Sequence, residues 1–308
     1  MLSKRIFGYL GWHLRRVRVH RREVLDALAI DLAKQGADHV AVTGDIVNIA
    51  LPSEFKCAAE WLRTLGSPDG LTVVPGNHDA YVAVSWDRSW AAWHDFMTSD
   101  DHAGPSPRDA QCRSGTIDHG FPIFRRRGPV ALIGISTAVP TVPGRSSGRV
   151  GMRQLERLGE YLERAGGANL FRVVLLHHPP RAEEAPKHKQ LTDAREFRRV
   201  IAARGAELIL HGHEHRFRYV ELAGPRGIVP VFGVPSASML PIADGSIAAQ
   251  YHLHEIRRHG AHWSIRTHIR SFSPEHGGFT ESNRRSLVLP AEAASEAQPG
   301  STSATSLC

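Results

Sequence analysis

The chain has 308 residues, of which 42% are hydrophobic, 22% charged and 7% aromatic. This balance is ordinary for a globular protein and excludes collagenous, fibrous and wholly disordered chains. The formal net charge of +7 favours anionic partners without choosing among them. No apolar run approaches the roughly 20 residues that span a bilayer. The three scattered cysteines form no CxxC pair, which predicts a reducing, cytoplasmic location.

The N-terminal stretch is basic and partly apolar. Residues 6–12 form a short apolar run, and basic residues stand on both sides of it. The run resembles a signal peptide, but no small-residue cleavage site follows, so we interpret the chain as not secreted. We interpret the stretch as an amphipathic connecting segment. Contact with a membrane surface or with nucleic acid is the alternative.

Helical and extended patterns alternate along most of the chain. A helix is predicted from Glu23 to the residue before Gly36, and another from Pro52, with Ser53 as its N-cap. Further helices are predicted over 86–97, 152–165 and 193–203, and strands over 39–43, 71–74, 130–135, 171–176 and 207–210. Residues 216–272 then show strands joined by glycine-containing turns. One domain, 1–289, is the simplest interpretation, and the Ala/Ser/Glu-rich residues 290–308 are predicted to be a disordered tail.

Four polar clusters stand at the ends of four of these predicted strands. They are Gly44-Asp45, Gly76-Asn77-His78-Asp79, His177-His178 and Gly212-His213-Glu214-His215. Polar residues at the carboxyl ends of strands are where α/β sheets place their sites. Each cluster alone has an ordinary reading, since Gly-Asp is common in turns and a His-His pair can simply be packed. Together they offer a mixed nitrogen and oxygen ligand set that suits Zn, Mn or Fe.

The order of these motifs resembles the calcineurin-like metallophosphoesterase superfamily, from Gly44 to His215. The His-His-Pro-Pro element is most similar to its bacterial phosphodiesterase branch. The resemblance implies a four-layer α/β/β/α sandwich of two mixed sheets over residues 1–289. It implies a phosphoesterase that hydrolyses a small phosphodiester by attack of a metal-bound hydroxide. Nucleic acid is a less favoured partner, because no aromatic base-stacking platform is recognisable.

The resemblance also implies a binuclear centre with two divalent ions, Mn, Fe or Zn. Asp45 would bridge both ions, and His215 would bind the first. Asn77, His177 and His213 would complete the shell of the second. Two ions about 3.5–4 Å apart can bind a phosphate, activate a water and neutralise the developing charge.

Two further residues receive catalytic roles from the resemblance. His78 would lie beside the scissile phosphate, where it stabilises the transition state or assists the leaving group. Asp79 would hydrogen-bond His78 and fix its ring. The choice of His177 rather than His178 as the ligand rests on its place directly after the strand. The loops 100–118 and 140–150 would set specificity.

One motif of the family is missing from this sequence. The family begins with a strand that ends in Asp-x-His, which supplies two ligands to the first ion, and no Asp-x-His precedes Gly44. Either the natural chain starts further upstream, or the protein is catalytically impaired and acts as a scaffold that binds nucleic acid or anionic lipid. Absence of the first strand exposes the edges of its neighbours and predicts poor solubility.

Overall fold

A computed structural model describes residues 4–100, 120–181, 186–241, 248–291 and 304–308. Nearly all of the loop 100–118 and residues 292–303 of the predicted tail lie outside these ranges. The helices are α1 (Lys4–Gly11), α2 (Val17–Val19), α3 (Arg22–Gln35), α4 (Pro52–Leu65), α5 (Met152–Gly167) and α6 (Ala194–Arg204). In this part of the chain, no helix combines the length and the apolar character needed to cross a membrane.

The helix ends follow from local chemistry, with two corrections to the sequence predictions. Gly36 ends α3 in the left-handed conformation, with φ of 61°. Leu51, not Ser53, is the N-cap of α4, because the Glu54 carboxylate reaches back to accept the Leu51 N–H at 2.8 Å. The helix predicted over 86–97 is two 3₁₀ helices, Trp86–Arg88 and Trp90–Met97.

The strands of the described residues form a six-stranded sheet, a four-stranded sheet and a parallel pair. They are β1 (Val40–Val42), β2 (Leu71–Val73), β3 (Ile123–Arg127), β4 (Val130–Gly134), β5 (Phe171–Leu175), β6 (Leu208–His211), β7 (Arg218–Gly224), β8 (Gly227–Gly233), β9 (Gln250–His259), β10 (His262–Ser273), β11 (Gly278–Pro290) and β12 (Ala304–Leu307). The six-stranded sheet has the order β3-β4-β5-β6-β8-β7, with antiparallel strands at both edges and parallel strands between them. The four-stranded sheet has the order β11-β10-β9-β12 and is antiparallel.

The C-terminal strand β12 joins the parallel pair β1-β2 to the four-stranded sheet. It runs antiparallel to β9, and Leu307 forms a parallel bridge with His39 next to β1. The N–H of Cys308 donates to the His39 carbonyl at 2.8 Å, and Leu307 is buried. Residues 304–307 therefore differ from the disordered tail expected of them, because their hydrogen-bond partners are distant in sequence. The edges of β1 and β9 on either side of β12 are therefore paired rather than exposed, and the predicted poor solubility stays a prediction.

Alternate residues of the central strands point into two different cores. Phe171, Val173 and Leu175 of β5 belong to a core shared with the four-stranded sheet and with α3 and α4. Val174 of the same strand belongs to a core shared with α5 and α6. This period of two is that of a strand buried on both faces. The predicted mixed α/β fold is confirmed, and the four-layer α/β/β/α order stays a prediction.

Candidate metal centre

Four of the predicted ligands converge beyond the carboxyl ends of β1, β2, β5 and β6. Asn77 Oδ1 lies 3.1 Å from His177 Nε2 and 2.9 Å from His213 Nδ1. The two imidazole nitrogens are 3.2 Å apart, and Asp45 Oδ2 is 3.3 Å from His177 Nε2. Asn77 and His177 are buried. The parallel strands therefore bring together residues that are up to 168 positions apart in the sequence, from Asp45 to His213.

Both histidines turn a lone pair toward this point. His177 Nδ1 lies 2.7 Å from the Thr43 carbonyl, and His213 Nε2 lies 3.0 Å from the Lys189 carbonyl. Because a carbonyl only accepts, each of these nitrogens carries the ring proton and leaves the other nitrogen as an acceptor. A backbone carbonyl on the far nitrogen is the usual arrangement for a metal-binding histidine. While both rings are neutral, two imidazole lone pairs, an amide oxygen and a carboxylate thus meet at one point, and a divalent cation satisfies all four.

The charge of the cluster favours a cation as well. Burial acts to raise the pKa of the Asp45 carboxyl, but the neighbouring His177 and His78 outweigh it and hold that pKa well below its ordinary value. Burial lowers the pKa of His177, and the Asp45 carboxylate overcomes this and raises it. Burial lowers the pKa of His213 to about 3, so its imidazole is neutral near pH 7. Asp45 therefore supplies the negative charge, and His213 supplies a neutral nitrogen.

His178 lies close to this group but has both ring nitrogens engaged. Its Nδ1 lies 2.7 Å from Thr137 Oγ1 and its Nε2 lies 3.0 Å from the Ser146 carbonyl. A ligand atom of His178 comes within 4.8 Å of those of His177 and His213, so proximity alone groups the three residues. Its hydrogen bonds assign His178 to holding the loop that contains Ser146, which supports the interpretation of His177 as the ligand.

The backbone at the site is held in uncommon conformations. Asp45, His213 and His215 have φ angles of 59°, 70° and 53°, which are unfavourable for residues other than glycine and concentrate at functional sites. Gly44 has φ of 94°, and a Cβ there would lie 2.5 Å from the Gly76 nitrogen. The fold therefore tolerates strain in the residues that carry the site, and only glycine fits beside Asp45.

Asp79 has a different role from the one predicted. It is fully buried and does not orient the His78 ring; its carboxylate instead holds the loop that carries Asp45. The loop presents backbone N–H groups without partners of their own, and a buried carboxylate satisfies them. Its oxygens accept hydrogen bonds of 2.8–2.9 Å from the N–H groups of Gly76, Asp45, Ile46 and Val47. Burial and the Asp45 charge raise the pKa of Asp79, and the N–H groups of Gly76 and Val47 oppose that rise.

His78 is held by groups that the sequence did not reveal. Its backbone N–H donates to Asp45 Oδ1 at 2.8 Å, and its Nδ1 donates to the Asn48 carbonyl at 2.6 Å. Nε2 is therefore an acceptor, and Arg16 Nη1 donates to it at 3.0 Å. Burial lowers the pKa of His78, with the nearby Asp45 carboxylate acting in the opposite direction. The ring is neutral and oriented by Asn48 rather than by Asp79.

Arg16 and His20 come to the site from the N-terminal segment. Arg16 Nη1 also donates to Asn48 Oδ1 at 3.0 Å. The His20 ring lies edge-on to the exposed His215 ring, with centroids 6.2 Å apart, and its Nδ1 lies 2.8 Å from Ser238 Oγ. The basic character of residues 1–22 was the sequence feature that could have indicated a role for Arg16. No spacing rule, however, connects Arg16 to His78, which is more than 60 residues away.

The described residues fit one divalent ion, and among them no complete second site is found. Asp45, Asn77, His177 and His213 form a mixed oxygen and nitrogen set that suits Mn, Fe or Zn. For the first ion of the predicted pair, this chain supplies Asp45 and His215. Among the described residues, no second group of three such side chains converges. The Arg16 guanidinium lies in the same region as His215 and supplies positive charge there.

Comparison with known proteins follows the same lines. The family described as calcineurin-like phosphoesterase matches residues 12–217, which is more than half of the chain. No curated protein matches this chain. A dimetal phosphatase from Danio rerio is 11% identical over 88% of this chain and 90% of that chain, with a TM-score of 0.48. The calcineurin-like phosphoesterase YfkN from Bacillus subtilis is 10% identical over 88% of this chain and 82% of that chain, with a TM-score of 0.36. On the match over residues 12–217, this chain belongs to the calcineurin-like phosphoesterases, a family that binds divalent metals.

Proposed function

We propose that this protein is a metal-dependent phosphoesterase that hydrolyses a phosphodiester. The observation that carries the proposal is the convergence of four acceptor groups on one point, beside a guanidinium and a neutral histidine. The ligands are Asp45, Asn77, His177 and His213, and family membership supports a phosphoric ester hydrolase. A divalent ion held there supplies a Lewis acid that polarises the phosphoryl oxygens and activates water.

The protein groups around the ligands orient the substrate. Arg16 donates to two neutral partners, Asn48 Oδ1 and His78 Nε2. In the described part of the chain, no carboxylate forms an ion pair with Arg16, so its charge is available to an anion. A guanidinium binds two phosphate oxygens in a planar fork. We therefore place a phosphate oxygen against Arg16 and the scissile ester between Arg16 and the four ligands.

His78 stands where a leaving group needs a proton. Its Nε2 points to Arg16 and accepts a hydrogen bond from it, so a substrate oxygen that displaces this contact meets the same nitrogen. The Asn48 carbonyl fixes the proton on Nδ1. His78 then donates from Nε2 once it is protonated, or it accepts a proton from water while neutral. In this proposal, Asp79 acts indirectly by holding the loop that carries Asp45.

A scaffold role without catalysis is the second candidate. It is favoured by the incomplete first metal site, to which this chain contributes Asp45 and His215, and by the basic N-terminal stretch. Such a protein binds anionic lipid or nucleic acid whether or not a metal is present.

The predicted cytoplasmic location and the predicted second ion both stay predictions.

The deciding experiment compares a chromogenic phosphodiester with the matching monoester in the presence of Mn²⁺. We expect Mn²⁺-dependent hydrolysis of the diester that His213→Ala and Asn77→Ala each reduce at least 1,000-fold. His259→Ala is the matched control, because His259 is an exposed histidine on the β9-β10 hairpin. Hydrolysis that is unchanged in His213→Ala contradicts the proposal. A protein that hydrolyses neither ester, yet binds an anionic surface in the presence of chelator, supports the scaffold candidate.

A further inference from the structure

The N-terminal helical segment turns an apolar face to solvent. The segment runs without a break from α1 through a π-helical turn, Trp12–Arg16, into α2. Of the eleven large apolar side chains that are exposed in the described residues, six lie on this segment, so the exposure is concentrated in one place. They are Ile6, Phe7, Tyr9, Leu10, Leu14 and Val17. Phe7, Leu10 and Leu14 follow the helical spacing of three and four residues and are 54%, 50% and 71% exposed.

The polar face of the same segment packs on the protein, which reverses the usual orientation of a surface helix. Lys4 Nζ donates to Thr141 Oγ1 at 2.9 Å, and Arg5 Nε donates to the Ile49 carbonyl at 3.0 Å. Gly8 lies against the protein, where a Cβ would come within 2.9 Å of the Tyr81 hydroxyl. With Arg16 directed to His78, polar contacts hold the segment along its length and leave the apolar side without a partner among the described residues.

The charge of this segment matches one kind of surface. Residues 1–22 contain seven Lys and Arg residues and no Asp or Glu. Arg18, Arg21 and Arg22 are exposed at the C-terminal end of the apolar face. Lys4, Arg5 and Arg16 contact the protein on the other face, and Arg21 and Arg22 also pair with Glu23 and Asp26. An exposed apolar stripe beside exposed basic side chains is the combination that binds the surface of an anionic bilayer.

We propose that the segment 4–22 seats this protein on an anionic membrane surface, with Phe7, Leu10 and Leu14 in the headgroup–acyl boundary. This is peripheral binding, in which the helix lies in the plane of the interface. The arginines at the C-terminal end of the segment meet lipid phosphates.

Binding of the segment 4–22 to a membrane also indicates a substrate class, and this step rests on the proposed function. Arg16 points to the metal centre from the side of the segment opposite Leu10 and Leu14. A helix with its side chains is about 10–12 Å across, so the centre stands about that far from the apolar contact. The headgroup layer on each side of a bilayer is about 5–8 Å thick, so the centre stands just beyond its outer edge, and a lipid phosphodiester raised by a few ångström reaches it. We infer that the substrate is a headgroup phosphodiester presented by the membrane.

The test of the surface is co-sedimentation of the full chain with vesicles. Phosphatidylcholine vesicles are compared with vesicles that also contain phosphatidylglycerol, with chelator present throughout. We expect binding to the anionic vesicles that weakens as salt is raised, and at least tenfold weaker binding for the Leu10→Ser/Leu14→Ser variant. Ile30→Ser/Val288→Ser is the matched control, since Ile30 and Val288 are similarly exposed on other elements, and it keeps full binding. The Arg18→Gln/Arg22→Gln variant is expected to bind the anionic vesicles about tenfold more weakly than the unmodified chain.

Several results overturn the proposal. One is the absence of vesicle binding at low salt. Another is an equal loss of vesicle binding in the Leu10→Ser/Leu14→Ser and Ile30→Ser/Val288→Ser variants. A dimer that Leu14→Ser converts to a monomer, without vesicle binding, assigns the face to a second copy instead. Binding to single-stranded DNA but not to vesicles assigns the basic cluster to nucleic acid.

The substrate class has its own measurement. Leu10→Ser/Leu14→Ser is expected to retain the activity of the unmodified chain on a soluble diester and to lose at least tenfold on a diester lipid in vesicles. If the variant retains the activity of the unmodified chain on the diester lipid as well as on the soluble diester, the inferred substrate class is contradicted. If the unmodified chain hydrolyses neither substrate, the proposed function fails while the vesicle-binding result still decides the surface.

Discussion

His177 Nε2 and His213 Nδ1 lie 3.2 Å apart, and in the neutral rings each nitrogen is an acceptor because a backbone carbonyl holds the proton on the other side of its ring. Two lone pairs at this distance repel unless positive charge lies between them. Asn77 Oδ1 and Asp45 Oδ2 add two more acceptors to the same point. This pair of histidines is therefore the feature that supports the proposed metal site most directly.

We expect Mn²⁺ or Zn²⁺ to stabilise the folded chain and His213→Ala to remove that effect. A ligand at 100 times its dissociation constant adds about 2.7 kcal/mol to the free energy of unfolding. The measurement is the melting temperature with the metal and with chelator, for the unmodified chain, His213→Ala and the control His259→Ala. A metal-dependent increase that persists in His213→Ala places the ion elsewhere.

Replacing Arg16 is expected to impair catalysis without impairing metal binding. A charge-assisted hydrogen bond contributes about 1.5–3 kcal/mol, so Arg16→Ala should lower kcat/KM for a soluble diester about 10- to 100-fold. Arg16→Lys keeps the charge without the planar fork and should recover part of the loss. Arg22→Ala is the control, because the Arg22 side chain is 90% exposed. Loss of metal affinity in Arg16→Ala, measured by calorimetry, contradicts a role in substrate binding.

The local part of the fold and of the site followed from the sequence. Period and turn residues placed β1, β2, β5 and β6 to within about two residues, and the polar clusters at their ends include the predicted ligands that converge. This worked because a parallel sheet brings its strand ends together whatever lies between them. The βα alternation therefore carried both the fold class and the positions of Asp45, Asn77 and His177.

Features that depend on distant contacts were missed. The strand β12 has few apolar residues and is defined by pairing with β9 and His39, more than 40 residues away. Asp79 was given the wrong partner, because its proximity in sequence to His78 hid its contacts with residues 45–47. Arg16 reaches His78 across 62 positions, and no local pattern reports that approach.

The revised role of Asp79 predicts a stability defect. In Asp79→Asn the side chain loses its charge and turns an NH₂ group toward N–H donors, so that buried donors lose their acceptors. Each unsatisfied buried group costs about 1–3 kcal/mol, and we expect the free energy of unfolding to fall by about 2–5 kcal/mol. Urea denaturation measures this, with the exposed Asp87→Asn as the control. A variant of normal stability whose pH–rate profile is shifted would restore the predicted role as the orienter of His78.

Buried histidines away from the metal centre predict that the protein loses stability in acid. Burial lowers the pKa of His252 to about 4, and its Nε2 has no hydrogen-bond partner among the described residues. The unfolded chain binds a proton at this histidine below about pH 6.5, whereas the folded chain does not until about pH 4. Stability from this group is therefore complete above pH 6.5 and is lost as the pH falls toward 4, by about 2–3 kcal/mol at pH 4.5. Urea denaturation at pH 7 and at pH 4.5, with chelator present, should show a smaller difference for His252→Leu than for the unmodified chain. The exposed His259→Leu is the control and keeps the full difference, whereas an equal difference in all three proteins shows that His252 does not set the acid limit.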